Sequence, residues 1–406
     1  MSWLAYSCAY IGRLNYSAAL ASIISGGIFT KSQAGLIGTV FFFCYGAGQL
    51  INGMIADKFS PFNLIFFGLF FSASANLMMS FSNNFIIMAV IWGCNGIAQS
   101  MLWASIIFII SNIIHDDMRY KACIYIASSF PVGTLSAYFI AMIFSNYGWT
   151  KIFGASAIII FIVSFIWLAT SLRIKKSLSF KEINVDEINI SENTTDNSKS
   201  KIKNLLVSSG VITVMFAVML HGMLKEGIMT WVPTMISETY KTAPAFSIFV
   251  SMVLPLINLN GAFLATFVFN KVTKKNEISS SMIFMAISVA PLVVLLYIGK
   301  IPLIISIVML ALITVCMNAY NHMYLTLAPL RFKKYQRTAT MAGVFNSITY
   351  AGCAISTYGF GYLSDKFGWN NSVYFWIGIA VTAVIISCFS VSKWKKFNKD
   401  DDTVSS

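Results

Sequence analysis

Three ionisable residues stand inside stretches otherwise suited to hydrocarbon. Arg13 lies within Ala5 to Ile23, AYSCAYIGRLNYSAALASI, and Lys225 and Glu226 lie within MLHGMLKEGIMTWVPTMI. A guanidinium near the centre of a bilayer-spanning helix costs about 2.5 to 3.5 kcal/mol on insertion scales, and such groups face a bundle interior or a wet cavity. One buried cation in each half of the chain points to an anion held between two bundles. The planar fork of Arg13 suits the oxygens of a phosphate, and Lys225 adds a compact charge. Glu226 either tunes that field by pairing across helices or titrates as a proton-coupling group. Neighbours on a helix point about 100° apart, so Lys225 and Glu226 do not pair directly. His221, one turn before Lys225 on the same face, reads as a hydrogen-bonded core histidine or a ligand contact. His322, in the polar run NAYNHMY, could line a pathway.

The elements that carry these residues are membrane helices. The 406 residues are 57% hydrophobic and 11% charged, which leaves too little polar surface to cover a soluble protein. Windows of about 20 apolar residues give twelve spans, at 3–26, 34–56, 62–81, 85–111, 121–145, 150–172, 205–236, 246–270, 279–298, 302–329, 337–363 and 370–392. The opening residues lack a basic n-region, so the first span reads as a retained helix and not a signal peptide. Twelve spans put both termini on one face. If that face is cytoplasmic, its loops and tail hold twenty-one Lys and Arg against five on the other side, with Arg13 and Lys225 in between. That bias follows the positive-inside rule, and it accounts for the formal charge of +13 without nucleic acid.

The chain divides at its longest polar gap. Residues 1–172 form one six-helix bundle, 173–204 a Ser-, Asn- and charge-rich cytoplasmic linker, 205–392 a second bundle and 393–406 a solvated tail. Three landmarks recur: Arg13 and Lys225 are 212 apart, Arg119 and Arg337 are 218 apart, and NYGW at Asn146 and KFGW at Lys366 are 220 apart. Near-constant offsets imply a duplicated unit with parallel halves, an arrangement that places a substrate site at the repeat interface. The seven cysteines are scattered through apolar segments and read as packing residues. No nucleophile–base order, metal-ligand spacing or P-loop appears, so neither an enzyme nor an ATP-driven pump is expected, and no cofactor is implied.

GMIADKF, joining the second and third spans, places Gly53, Asp57 and Lys58 where a carboxylate could latch one conformer against a helix N-terminus. Here the chain resembles the major facilitator superfamily, whose loop motif has this pattern. The resemblance implies an all-α integral membrane fold of twelve transmembrane helices in two pseudo-symmetric six-helix bundles. The corresponding stretch of the second half, NKVTKKN from Asn270, lacks the Asp, so a latch there must differ.

A narrower resemblance runs from the first span to the twelfth. YIGRLN, YGAGQLINGMIADK, LKEGIMTWVPT, HMYLTLAP and GYLSDKFGW are similar to stretches of the organophosphate:phosphate antiporter family, the glycerol-3-phosphate and hexose-phosphate transporters. By those motifs, phosphate binding falls on Arg13 and Lys225, with Tyr6, Tyr10 and Tyr350 matching tyrosines near the site. Where the family carries further basic residues this chain has Leu14, Gln49, the Trp103 to Ile107 stretch and Phe130, so the site holds fewer cations. The resemblance implies a monomeric carrier in the cytoplasmic membrane, both termini cytoplasmic, that exchanges a small organophosphate for phosphate by alternating access. Its partners are a small anionic substrate and the lipid bilayer. The alternatives are a carrier of another organic anion, a proton symporter using Glu226, and a sugar-phosphate sensor that does not transport. Trp231 and Pro233 read as an interfacial aromatic and a kink closing the seventh span.

Overall fold

A computed structural model describes residues 1–55, 59–112, 116–177, 210–258, 260–335 and 338–402. The described residues form helices and the turns that join them. Six helices make the first half: α1 (Ser2–Ser25), α2 (Lys31–Ile55), α3 (Pro61–Met79), α4 (Phe85–Asn112), α5 (Asp116–Phe144) and α6 (Trp149–Ser177). In the second half, α7 is Val211–Tyr240, and α8 is described over Pro244–Ser251, Val253–Asn258 and Asn260–Lys271. Then come α9 (Glu277–Leu295) and α10 (Leu303–His322), which runs on through a π turn, Met323–Leu327, and a 3-10 stretch, Ala328–Tyr335. The last helical stretch, Thr338–Asp402, breaks at Gly368 (φ 77°, ψ 173°), and we number it α11 before the break and α12 after it. Ten stretches among the described residues are long and apolar enough to cross a membrane. One of them, Met341–Phe397, is the α11–α12 pair, and α1 is too polar to qualify on hydropathy, which brings the helices to the expected twelve.

Two charged clusters fix how these helices alternate. Lys31 at the start of α2, Glu238 near the end of α7, and Asp365 and Trp369 at the α11–α12 junction meet at one end. Glu277 at the start of α9, Arg331 beyond α10 and Trp394 late in α12 meet one another. Helices that reverse direction at each loop put the second group at the opposite end.

Close approach of backbones repeats between the halves. A Cβ on Gly133 of α5 would collide with the carbonyl of Ser7 in α1, and one on Gly352 of α11 would collide with that of Met219 in α7. Ser7 and Met219 are 212 apart, the spacing of Arg13 and Lys225, and Gly133 and Gly352 are 219 apart. The same helix pair is therefore built twice. Small residues let it pack by dispersion, since lipid supplies no hydrophobic drive between helices.

Several helices run past their expected ends. The stretch read as a solvated tail continues α12, with Trp394 and Phe397 buried against Phe332. Glu238 and Glu277 also fall within membrane-length helices. Trp231 is fully buried, its indole N–H donating to the Thr357 carbonyl at 3.1 Å, because α7 packs onto α11 at that level and not into an interface. The eighth span is broken at Met252, and just beyond the break Pro255 supplies no backbone N–H. Asp57, Lys58 and all of the linker beyond 177 lie outside the described residues.

Candidate functional site

Arg13 is fixed from below by its own helix. The carbonyl of Gly12 accepts from the Asn95 amide at 2.9 Å and the Asn76 amide at 3.2 Å, and Asn76 also takes the Asn15 amide at 2.7 Å. All three amides are fully buried. They tie α1 to α3 and α4 at the residue preceding the guanidinium. Packing at Gly12 is close: a Cβ there would stand 2.7 Å from Ile160 Cδ1 and 3.0 Å from Ser72 Oγ, so those side chains would have to shift.

The Arg13 guanidinium is walled by rings. Its carbon lies 5.6 Å from the Phe41 centroid, 5.2 Å from Phe42, 5.0 Å from Tyr45 and 5.3 Å from Tyr350. Each ring face attracts the cation, which offsets part of its desolvation without neutralising it. Nη1 donates to the Tyr350 hydroxyl at 3.4 Å, a contact from the first half to the second, and Nε has no partner among the described residues. Among the described residues no carboxylate pairs with Arg13, so its charge remains available to a guest.

Two cavities flank Arg13. One is lined by Tyr6, Ala9, Tyr10, Tyr45 and Gln99; the other by Tyr16, Phe41, Phe42 and Trp92 of the first half with Glu226, Thr230 and Thr357 of the second. On the first side Tyr10 donates to Tyr6 at 3.3 Å, and both rings pack on further aromatics, Trp103 and Phe130. Trp103 and Phe130 give this side an apolar wall.

Glu226 and Lys225 come from α7, which is pressed onto α11 above and below them: a Cβ on Gly222 would meet the Thr349 backbone, and one on Gly227 the Phe360 ring. Both side chains are partly exposed, and among the described residues neither makes an ion pair or a hydrogen bond. They still act on the site through space: Arg13 and Lys225 repel each other, and Glu226 attracts both.

The remaining candidates are placed differently. His221 is buried, its Nε2 3.1 Å from the Met317 carbonyl and its ring edge-on to Tyr320, so it faces α10 and not the Arg13 cavities. His322 closes α10 where the π turn begins and lines neither cavity. Gln49 donates to Tyr45 at 2.9 Å and accepts from Asn346, joining α2 to α11 at the interface of the halves. Gly53 lies in α2, and its latch partners Asp57 and Lys58 are outside the described residues. Phe41, Phe42, Tyr45, Thr230 and Thr357 were not singled out in the sequence; the only signal for the first three is an aromatic run, FFFCY, on a helix facing Arg13.

The halves meet along α2 and α11. Thr39 donates to the Ala354 carbonyl at 2.5 Å and accepts from the Tyr358 amide, and Gly35 would place a Cβ 2.5 Å from the Thr357 carbonyl. At the Lys31 end the interface is polar. Asp365 accepts from the Lys31 and Ser32 amides at 3.1 and 2.6 Å and from the Ser32 hydroxyl, so a carboxylate of one half caps the first turn of a helix in the other. Beside it Glu238 takes Lys31 Nζ and the Trp369 indole, each at 2.8 Å.

Comparison with known proteins places this arrangement. A profile described as the Major Facilitator Superfamily matches residues 2–357. The glycerol-3-phosphate transporter of Bacillus subtilis is 22% identical over 410 residues, covering 97% of this chain and 91% of that one. The membrane sensor protein UhpC of Salmonella typhimurium is 30% identical over 97 residues, 24% of this chain and 22% of that protein. Among solved structures, a bacterial homolog to the human lysosomal transporter Spinster, inward-facing and occupied, superposes with a TM-score of 0.75 at 13% identity, covering 98% of this chain and 95% of that one.

Proposed function

This chain belongs to the Major Facilitator Superfamily and is a multi-pass membrane transporter, not an enzyme; from that premise we propose that it exchanges a small organophosphate for inorganic phosphate by alternating access. The observation that carries this reading is the unpaired Arg13, donated by the first half, held by aromatic faces and touching Tyr350 of the second. A phosphate beside it gains charge-assisted hydrogen bonds in a site shielded from water, with Lys225 supplying the second charge. Tyr6, Tyr10 and Tyr350 orient the guest, and Gln49 reports its presence to the α2–α11 interface. The relatives' names supply the substrate class: glycerol-3-phosphate for one, and a sugar phosphate exchanger of Xenopus laevis, 29% identical over 156 residues, for another.

The bundles at 1–172 and 205–392 rock about this point. The Lys and Arg bias puts the termini and linker in the cytoplasm. Contacts at the Lys31 end then close the outer mouth, and must break for the site to open outward. With Arg13 and Lys225 repelling each other through space, the empty carrier resists closing and the loaded one does not, which favours exchange over net flux.

The test is counterflow in proteoliposomes loaded with labelled phosphate and challenged with phosphorylated metabolites. Wild type is expected to exchange, and Arg13→Ala and Lys225→Ala to lose about 30-fold or more of that rate, the scale of a charge-assisted contact of about 2 kcal/mol. Unaltered exchange in Arg13→Ala overturns the assignment. The match to the UhpC sensor supports a second reading, for which the signature is binding of a sugar phosphate with no counterflow.

A further inference from the structure

Resting on the phosphate reading above, we infer that the organophosphate this site prefers carries an ammonium group, as an amino-sugar phosphate or a phosphorylated amino alcohol does, and that Glu226 selects it. Glu226 lines the same cavity as Arg13, and among the described residues it has no hydrogen bond and no ion pair. Arg13 stands on that wall and attracts Glu226 through space without an ion pair, and the neutral residues around it supply no further counter-charge. The Tyr16 hydroxyl donates to the Ala34 carbonyl at 2.6 Å, and Thr357 donates to the Cys353 carbonyl at 2.7 Å, so both protons are already committed. Phe41, Phe42 and Trp92 offer ring faces, and Thr230 is left as a neutral hydroxyl with no partner of its own.

Charge balance then decides the chemistry of the guest. Arg13, Lys225 and Glu226 together carry one net positive charge. A phosphate ester dianion would turn the loaded site negative and leave the carboxylate facing it, at a desolvation cost that grows as the site closes. An ammonium on the same molecule brings the loaded site to neutrality and gives Glu226 a charge-assisted donor, and the ring faces beside it attract a cation as well. Inorganic phosphate bound as its monoanion balances the site too, so exchange is compatible with this selection.

The test uses the full chain in detergent or nanodiscs and measures binding of matched pairs that differ only in –NH3+ against –OH: glucosamine 6-phosphate with glucose 6-phosphate, and phosphoethanolamine with 2-hydroxyethyl phosphate. In wild type the amine-bearing member of each pair is expected to bind about fivefold or more tightly, the scale of a single ion pair. In Glu226→Gln that ratio falls to one or below while inorganic phosphate binds more tightly. Should the Gln variant fail to fold, Glu226→Asp, expected to keep the preference, takes its place, and the wild-type ratio decides by itself. Equal binding within both wild-type pairs, or a ratio unchanged in Glu226→Gln, overturns the inference and leaves the phosphate reading intact. If wild type binds neither pair nor inorganic phosphate, both fall.

Discussion

The two charged clusters at opposite ends of the bundle use similar parts for different purposes. At one end Glu277, with a side chain 2% exposed, accepts from Arg331 Nε at 2.7 Å and from the Trp394 indole at 2.9 Å, and Arg331 also donates to the Lys275 carbonyl. Every partner named there belongs to the second half. At the other end the Lys31–Glu238 pair is 13% and 33% exposed and, with Asp365, joins one half to the other. A contact inside a rigid body never has to open, so it can be buried and strong. On the proposed alternating-access reading the Lys31 end breaks in each cycle, so it has to be cheap to break, and partial hydration makes it so.

The largest effect is therefore expected where nothing moves. Glu277→Ala removes the acceptor of a buried indole and the partner of Arg331, and should cost about 3 kcal/mol of stability. Chemical unfolding in detergent reads this, with no accompanying shift between conformers. A full-size loss of stability from Asp365→Ala and none from Glu277→Ala would invert the comparison. Gly352→Ala sharpens it within the same half: its methyl collides with the Met219 carbonyl, an overpacking worth about 1 to 3 kcal/mol, again in stability.

Asp365→Ala should act on the conformational equilibrium instead. Its carboxylate caps two amides and a hydroxyl of the facing half, contacts worth about 1 to 2 kcal/mol together, or roughly a tenfold change in the ratio of closed to open outer mouth. Spin labels at positions 27 and 366, one in each half at that end, should show a growing long-distance population while unfolding stability is nearly unchanged.

How much of this was legible before any coordinates follows from the range of the forces involved. Hydrophobic runs and the Lys and Arg bias are summed over many residues, so twelve helices and the repeat could be read directly. Arg13 and Glu226 drew notice because a charge is costly among apolar neighbours. Phe41, Phe42 and Tyr45 did not, since 34 phenylalanines in a membrane chain make any one of them unremarked until a cation is found over its face. Glu277 was hidden by position: the second half lacks an Asp within NKVTKKN, and the carboxylate that holds Arg331 comes just after it, at the first turn of α9. The burial of Trp394 was hidden by its basic neighbours, which favour water on the opposite side of the same helix.

The smallest expected effect is the most specific to the comparison. Lys31→Met or Glu238→Gln removes one partly hydrated ion pair, worth less than about 1 kcal/mol, and leaves Asp365 capping α2. The open population should rise by no more than about fivefold at low salt, and the difference from wild type should fade near 1 M salt, where the Debye length of about 3 Å is comparable to the separation of the charges. Gly35→Ala is the control at the same interface. Its Cβ, 2.5 Å from the Thr357 carbonyl, separates α2 from α11 by sterics alone, so the opening it produces should be independent of salt. If both variants respond to salt alike, the Lys31 end is held by packing and not by its charges. If neither the pair nor the glycine alters the distance distribution, this end of the interface is not the one that opens.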